Sequence, residues 1–210
     1  MERVDLVVPV KRLAAAKTRL RGPGGISEEH TELALALTRD TVAAACAAAR
    51  VRSVVVVTAD PRVAAVLTAD GVDAVDDPLA GLNAAYDRGA EVVRARDPAS
   101  AVGALQADLP ALQPAELDAA IGAALALGGR TFCADADGTG TTFLLAAAGV
   151  ALQPHFGGGS AARHRASGAI PLDGEWPGLR RDVDTPADLR QAREIGLGPR
   201  SRAALASRTP

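Results

Sequence analysis

One α/β domain, built on a mostly parallel mixed sheet with helices on both faces, is the architecture this sequence predicts. Three observations predict it. Strand-length apolar runs alternate with helix-length segments through the first two thirds of the chain, which is the signature of βαβ units. The run Val54–Val57 is apolar without alternation, as a strand covered on both faces is. The length of 210 residues and a hydrophobic content of 48% suit one core of that size.

Taken in order, Val4–Val10 is the first strand, with Pro9 near its end where a strand tolerates proline. A basic stretch follows, with Lys11, Arg12, Lys17, Arg19 and Arg21, and Gly22-Pro23-Gly24-Gly25 breaks it. Ser27 is a candidate N-cap for a long helix whose apolar positions include Leu33, Leu37, Val42 and Cys46. Val54–Val57 is the second strand, Arg62 to Ala69 a short helix, and Val72–Val75 a brief third strand. Gly81-Leu82-Asn83 opens a helix towards Ala95, and Ala101 to Ala107 is the fourth strand. Pro114 to Leu127 is a helix stopped by Gly128-Gly129, and Thr131 to Ala134 a further strand. The rhythm then changes: strands are expected at Phe143–Ala146 and Ala169–Leu172, and helices at Ala161–Ser167 and Ala187–Glu194. Ser160 is the expected N-cap of the first of these helices. One domain over 1–210 is expected, with a loose tail from about 196.

Composition narrows the function classes. A formal net charge of -2 gives no general case for a nucleic-acid or membrane partner. The apolar runs are short and interrupted, and the N-terminus reads as a strand rather than a leader, so a cytoplasmic protein is expected. Cys46 and Cys133 form no CxxC pair and are expected to be small buried apolar residues. Surfaces of Ala, Leu and Val leave a homodimer open.

Asp108 is the residue around which the chemistry gathers. A buried strand delivers it to its C-terminal end, before Leu109-Pro110 turns the chain away, and open α/β sheets bind ligands at that edge. A buried carboxylate needs compensation from a metal ion or from a hydrogen-bond network. Asp182 and Asp184 are the other carboxylates of the set. They flank Val183, and only one of them is expected to face the crevice of Asp108. Carboxylates of this kind suit Mg²⁺, which keeps waters and binds substrate phosphates. Thr185-Pro186 also reads as a helix start, so Asp184 and Thr185 have a structural alternative as caps.

Three other segments suit anions. Lys11 and Lys17 after the first strand would grip phosphates as point charges, or belong to a solvated turn. Gly138-Thr139-Gly140-Thr141-Thr142 reads as an anion-binding concavity or as a plain turn. Phe156-Gly157-Gly158-Gly159-Ser160 leads into a helix on which Ser160 and His164 share a face, with His164 facing an acidic substrate or lying at the surface. No GxGxxG or P-loop follows the first strand, and no serine elbow, HExxH or cysteine–histidine zinc pattern is present. Two phosphorylated ligands and a divalent ion, reacting by direct in-line attack, fit this inventory.

Together, PVKxLxxAKTRL from Pro9, DLPAL from Asp108, DGxGTT from Asp137, FGxGSxxxH from Phe156 and DVDTPADL from Asp182 resemble the 2-phospho-L-lactate guanylyltransferase family. Its actinobacterial members are better described as phosphoenolpyruvate guanylyltransferases of coenzyme F-420 biosynthesis. The resemblance runs from about Val4 to Leu189, and it implies a single Rossmann-like nucleotidyltransferase domain. It implies GTP along the strand-one loop, near Pro9, Val10, Lys11 and Lys17, with Thr58, Asp60, Gly81 and Asn83 on the guanosine side. It implies Lys17, Asp108 and Asp182 in catalysis, and Mg²⁺ on Asp108 and Asp182 with Asp184 as a third ligand. Thr142, Gly157 and Ser160 would hold a phosphorylated three-carbon acid, with Thr141 and His164 nearby. A GxGxRxxxxxPK-like loop is missing after strand one, which sets the chain apart from sugar-nucleotide and molybdopterin enzymes. A related nucleotidyltransferase with another acceptor, such as 3-phospho-D-glycerate or a phosphosugar, and a non-catalytic GTP-binding protein are the alternatives.

Overall fold

A computed structural model describes residues 2–13 and 28–207. Among these residues seven strands form one sheet in the order β3-β2-β1-β4-β6-β5-β7. β1 (Val4–Val10) lies inside the sheet and pairs in parallel with β2 (Val51–Thr58) and β4 (Val102–Leu105). β2 pairs in parallel with β3 (Asp73–Asp76). β6 (Thr141–Ala146) runs antiparallel to both β4 and β5 (Arg130–Ala134), and the short β7 (Ile170–Pro171) adds in parallel to β5. The sheet is therefore mixed and mostly parallel, as its sequence predicts.

Every residue of β1 is buried, because the sheet is covered on both faces. Val4, Leu6, Val8 and Val10 pack into one core layer and Val7 into the other. The first layer is closed by α1 (Glu28–Ala47), α2 (Pro61–Ala69), α4 (Pro114–Leu127) and α6 (Pro177–Arg180). The second is closed by α3 (Leu82–Arg96) and α5 (Ser160–Ala166). With so few aromatic residues, Val, Leu and Ala fill both layers, and Tyr86, Phe132 and Phe143 are the largest fully buried side chains.

A third, smaller core joins Leu33 and Leu37 of α1 to Ala111, Val183, Ala192 and Leu197. It lies where α7 (Pro186–Ile195) and α8 (Pro199–Ala206) return to the body of the domain. Here the expectation of a loose tail from about 196 is corrected. Asp40 of α1, buried, accepts hydrogen bonds from the backbone N–H groups of Arg200 (3.1 Å) and Ser201 (2.7 Å). A side chain far away in sequence thus satisfies the donors that the first turn of α8 leaves unpaired. Proline at its first position suits the start of a helix as well as a break.

Two smaller expectations also change. Cys46 is exposed near the end of α1, while Cys133 is buried as expected. α5 is capped by Gly159 in the left-handed region, not by Ser160, which is already its first helical residue. Ser27 lies outside the described residues.

Candidate active site

β1 and β4 leave the sheet side by side, because Asp5, Leu6 and Val7 pair with Val102, Gly103 and Ala104. Their exits, Pro9-Val10-Lys11 and Gln106-Ala107-Asp108, open one cavity of about 730 Å³ at the C-terminal edge of the parallel strands. This is the edge at which open α/β sheets bind ligands.

The turn at Asp108 is held from three sides. The Leu109 N–H donates to Thr41 Oγ1 of α1 (2.9 Å), and the Asp108 carbonyl accepts from Val183 N–H (3.1 Å). The Pro110 carbonyl accepts from Gly198 N–H (2.8 Å). Through the second bond the segment Arg181–Asp184 is clamped to the end of β4. Asp182 and Asp184 both line the cavity with Asp108, which corrects the expectation that only one of them would. Residues two apart in an extended segment share a face, and it is Val183 between them that turns inward and is fully buried.

The opposite wall is the Asp135–Gly140 loop. Asp135 holds it by accepting the N–H groups of Thr139 (2.9 Å) and Gly140 (2.8 Å). A Cβ on Gly140 would lie 2.2 Å from Asp135 Oδ2, so a side chain there would push that carboxylate off the loop. The Gly157–Ser160 loop follows, with Gly157 and Gly159 at φ +117° and +69°, conformations that favour glycine. Asn83 pins this loop. Its carboxamide accepts from Phe156 N–H (2.8 Å) and donates to the Phe156 carbonyl (3.3 Å).

Of the residues predicted for the nucleotide, Pro9, Val10 and Lys11 line the cavity; Thr58, Asp60, Gly81 and Asn83 do not. Lys17 lies outside the described residues. Asp60 is the N-cap of α2, accepting from Arg62 and Val63 N–H, and its other oxygen accepts the Leu13 N–H (2.8 Å). Thr58 Oγ1 accepts from Asp60 N–H (3.1 Å), within the same turn. Of the residues predicted for the acid, Thr141, Gly157 and Ser160 line the cavity, while Thr142 and His164 are buried outside its wall. His164 Nδ1 lies 2.9 Å from Thr141 Oγ1, and its Nε2 accepts the His155 N–H (2.9 Å). Burial, and then the charges of His155, Arg130 and Arg163, push its pKa down to about 4. It is a neutral ring behind the wall, not a cation in the site.

Sequence reasoning missed Arg181. Its side chain is largely buried, lines the cavity, and sits 3.9 Å from Asp137 and 3.8 Å from Asp188. Its position beside Asp182 in the DVDTPADL segment was the available signal. Asp188 is otherwise committed to the capping box of α7 with Thr185, which confirms the structural role expected of Thr185. The described lining therefore sets the carboxylates of Asp108, Asp135, Asp137, Asp182, Asp184 and Asp188 against Lys11 and Arg181. An anionic ligand enters such a field favourably only in company with cations.

Among the described residues no three His, Cys, Asp or Glu side chains converge closely enough to form a metal cluster. The donor chemistry still suits Mg²⁺, which uses one or two carboxylates and completes its shell with waters and substrate phosphates. No described helix is long and apolar enough to cross a membrane.

The fold, with cavity-lining loops gathered at the β1/β4 exit, is one the chain shares with solved nucleotidyltransferases. A nucleotidyl transferase from Methanothermobacter thermautotroptrophicus superposes with a TM-score of 0.59 at 20% identity, over 93% of this chain and 98% of that one. Residues 4–168 match the family model described as "Guanylyl transferase CofC like", and the chain belongs to that family. It is 54% identical over 206 residues to a protein of Geodermatophilus obscurus named phosphoenolpyruvate guanylyltransferase, covering 96% of this chain and 93% of the relative. A Streptomyces scabiei protein of the same name is 54% identical over 207 residues, covering 96% and 95%.

Proposed function

We propose that this protein transfers GMP from GTP to the phosphate of phosphoenolpyruvate, releasing pyrophosphate and forming enolpyruvyl-diphospho-5'-guanosine for coenzyme F-420 biosynthesis. The observation that carries the reading is the meeting, in one crevice, of the β1 exit, the Asp108 turn, the Asp182–Asp184 segment and the Gly157–Ser160 loop. The names of relatives sharing about half of their residues with this chain support phosphoenolpyruvate as the acceptor.

In this reading a phosphate oxygen of the acid attacks the α-phosphorus of GTP. A P–O bond forms there, and the bond to the β-phosphate bridge breaks with its electrons leaving on pyrophosphate. No general base is required, because a phosphate monoester is largely ionised near neutral pH. The described lining of the cavity contains no histidine, which agrees with this. Lys11, and Lys17 on the sequence's own grounds, would meet the nucleotide phosphates as point charges. Thr141, Gly157 and Ser160 would hold the acid, with the Arg181 guanidinium within the same wall. Asp108 and Asp182 would hold Mg²⁺, which when bound lowers repulsion between two anions and stabilises charge on phosphoryl oxygens. The rest of catalysis is alignment of two bound substrates.

The test is pyrophosphate release with GTP and each of phosphoenolpyruvate, 2-phospho-L-lactate and 3-phospho-D-glycerate, with and without Mg²⁺, and with ATP and CTP as controls. Release confined to GTP, phosphoenolpyruvate and Mg²⁺ is expected. Silence of a folded sample with GTP and every acid, or equal rates with ATP, refutes it.

A further inference from the structure

Thr141 opens β6 and is the only residue of that strand on the cavity wall among the described lining residues. Behind it stands His164, fully buried, its ring held between Phe156 (5.1 Å, edge-on) and Phe132 (5.8 Å). Both ring nitrogens have polar partners at 2.9 Å, and the two partners differ in kind. The partner of Nε2 is the backbone N–H of His155, which can only donate. Nε2 is therefore the nitrogen with the lone pair, and a neutral imidazole then carries its proton on Nδ1. Nδ1 faces Thr141 Oγ1, so the ring donates and the hydroxyl oxygen accepts. A threonine hydroxyl has two lone pairs and one hydrogen. The bond from His164 uses a lone pair and leaves the hydrogen for the cavity.

We propose that His164 is a positioning residue that makes Thr141 an obligate hydrogen-bond donor towards the anionic groups of the acceptor acid. The opposite tautomer would reverse this. Nδ1 would then accept the threonine hydrogen, and the cavity would be left facing oxygen lone pairs, which repel a phosphate or carboxylate. One backbone N–H at His155 thus sets the polarity of a wall residue two hydrogen bonds away. The ring stays neutral because burial, and then nearby positive groups, hold its pKa near 4, so Nε2 keeps its lone pair for the His155 N–H at ordinary pH. The inference rests on the acid-binding role proposed for this part of the cavity.

The experiment has a spectroscopic arm and a kinetic arm. Long-range ¹H–¹⁵N correlation spectra of the uniformly labelled protein report the tautomer of each of its three histidines, and His164→Gln assigns the signal. An unprotonated Nε2 with a proton on Nδ1 is expected, and a proton on Nε2 overturns the inference whatever the activity. In the kinetic arm, Thr141→Val and His164→Leu are each expected to lower kcat/KM for phosphoenolpyruvate about tenfold to a hundredfold, the range for a lost hydrogen bond to a charged group. The KM for GTP should stay within about threefold of its starting value, since that substrate does not use the bond. The double variant should be no worse than the poorer single one, because His164 acts only through the Thr141 hydroxyl. His164→Asn, whose amide N–H takes the place of Nδ1–H, should recover most of the loss. Penalties that multiply, a parallel loss in GTP use, or no rescue by asparagine overturn the inference. Should His164→Leu fail to fold, Thr141→Val, His164→Asn and the tautomer still decide it. Silence of the unmodified protein with every acid instead overturns the functional reading, and this inference with it.

Discussion

Asn83 separates two accounts of the site. The family resemblance implies that it borders the guanosine; the structure has its carboxamide joined at both ends to the backbone of Phe156, one residue before the glycine loop. Asn83→Ala removes both bonds. Each net hydrogen bond contributes about 0.5–1.5 kcal/mol, so the pair contributes about 1–3 kcal/mol. For a chain of this length that lowers the melting temperature by about 2–12 °C. Where the cost falls on ordering the loop for the acid, the KM for phosphoenolpyruvate rises by about 5- to 150-fold. The GTP KM should hardly move. Steady-state pyrophosphate release, with each substrate varied at saturating levels of the other, reads both constants. A rise in the GTP KM with the acid KM unchanged would refute the loop-bracing argument and return Asn83 to the nucleotide.

Asp108→Asn should nearly abolish turnover and leave the circular dichroism melt close to its starting point, since the backbone bonds that hold the turn survive; full activity would remove the residue from the reaction. Ser160→Ala should weaken use of the acid more than binding of GTP, read as the two KM values. Asp40→Ala strips two N–H groups at the start of α8 of their buried acceptor and should cost about 2 kcal/mol or more, with hydrogen exchange quickening first at Arg200 and Ser201. His164 predicts a pH dependence. Unfolded, its pKa is near 6.5; folded, it is held to about 4. The unfolded chain therefore takes up a proton that the folded one refuses, and stability present above pH 6.5 is lost as pH falls towards 4. In denaturant titrations His164→Gln should flatten that part of the profile, and an unchanged slope would contradict a neutral buried ring.

The strands were legible because their signal is local. Val4–Val10 reads as a strand from its apolar run alone, and its observed limits are the predicted ones. Asp108 was legible as a carboxylate delivered to the ligand-facing edge of the sheet, and it lines the cavity there. The pieces that escaped depend on distant partners. Asn83 has meaning only beside Phe156, and Asp40 only beside Arg200 and Ser201. The segment after Gly196, rich in Gly, Pro and Arg, reads as a tail until the buried acceptor that starts its helix is known. His164 was legible as a neighbour of Ser160 on a helix face, yet which way it turned was decided by the packing of Phe132 and Phe156 around it. Arg181 was overshadowed by the acids next to it.

The bond between Val183 N–H and the Asp108 carbonyl has a bearing on how the protein comes to be competent at all. It joins parts of the polypeptide made far apart in time, and closing so long a loop is a late, entropically costly event in folding. Until it closes, the carboxylates on its two sides belong to separate pieces of structure. A nascent chain that has finished β1 to β4 would own a nucleotide-side loop and a single acid, and would have nothing to catalyse with. Any ligand that engages both sides bridges early and late segments, and its binding energy is returned as resistance of the whole domain to unfolding. Substrate supply would then govern how long the molecule survives in the cell as well as how fast it works.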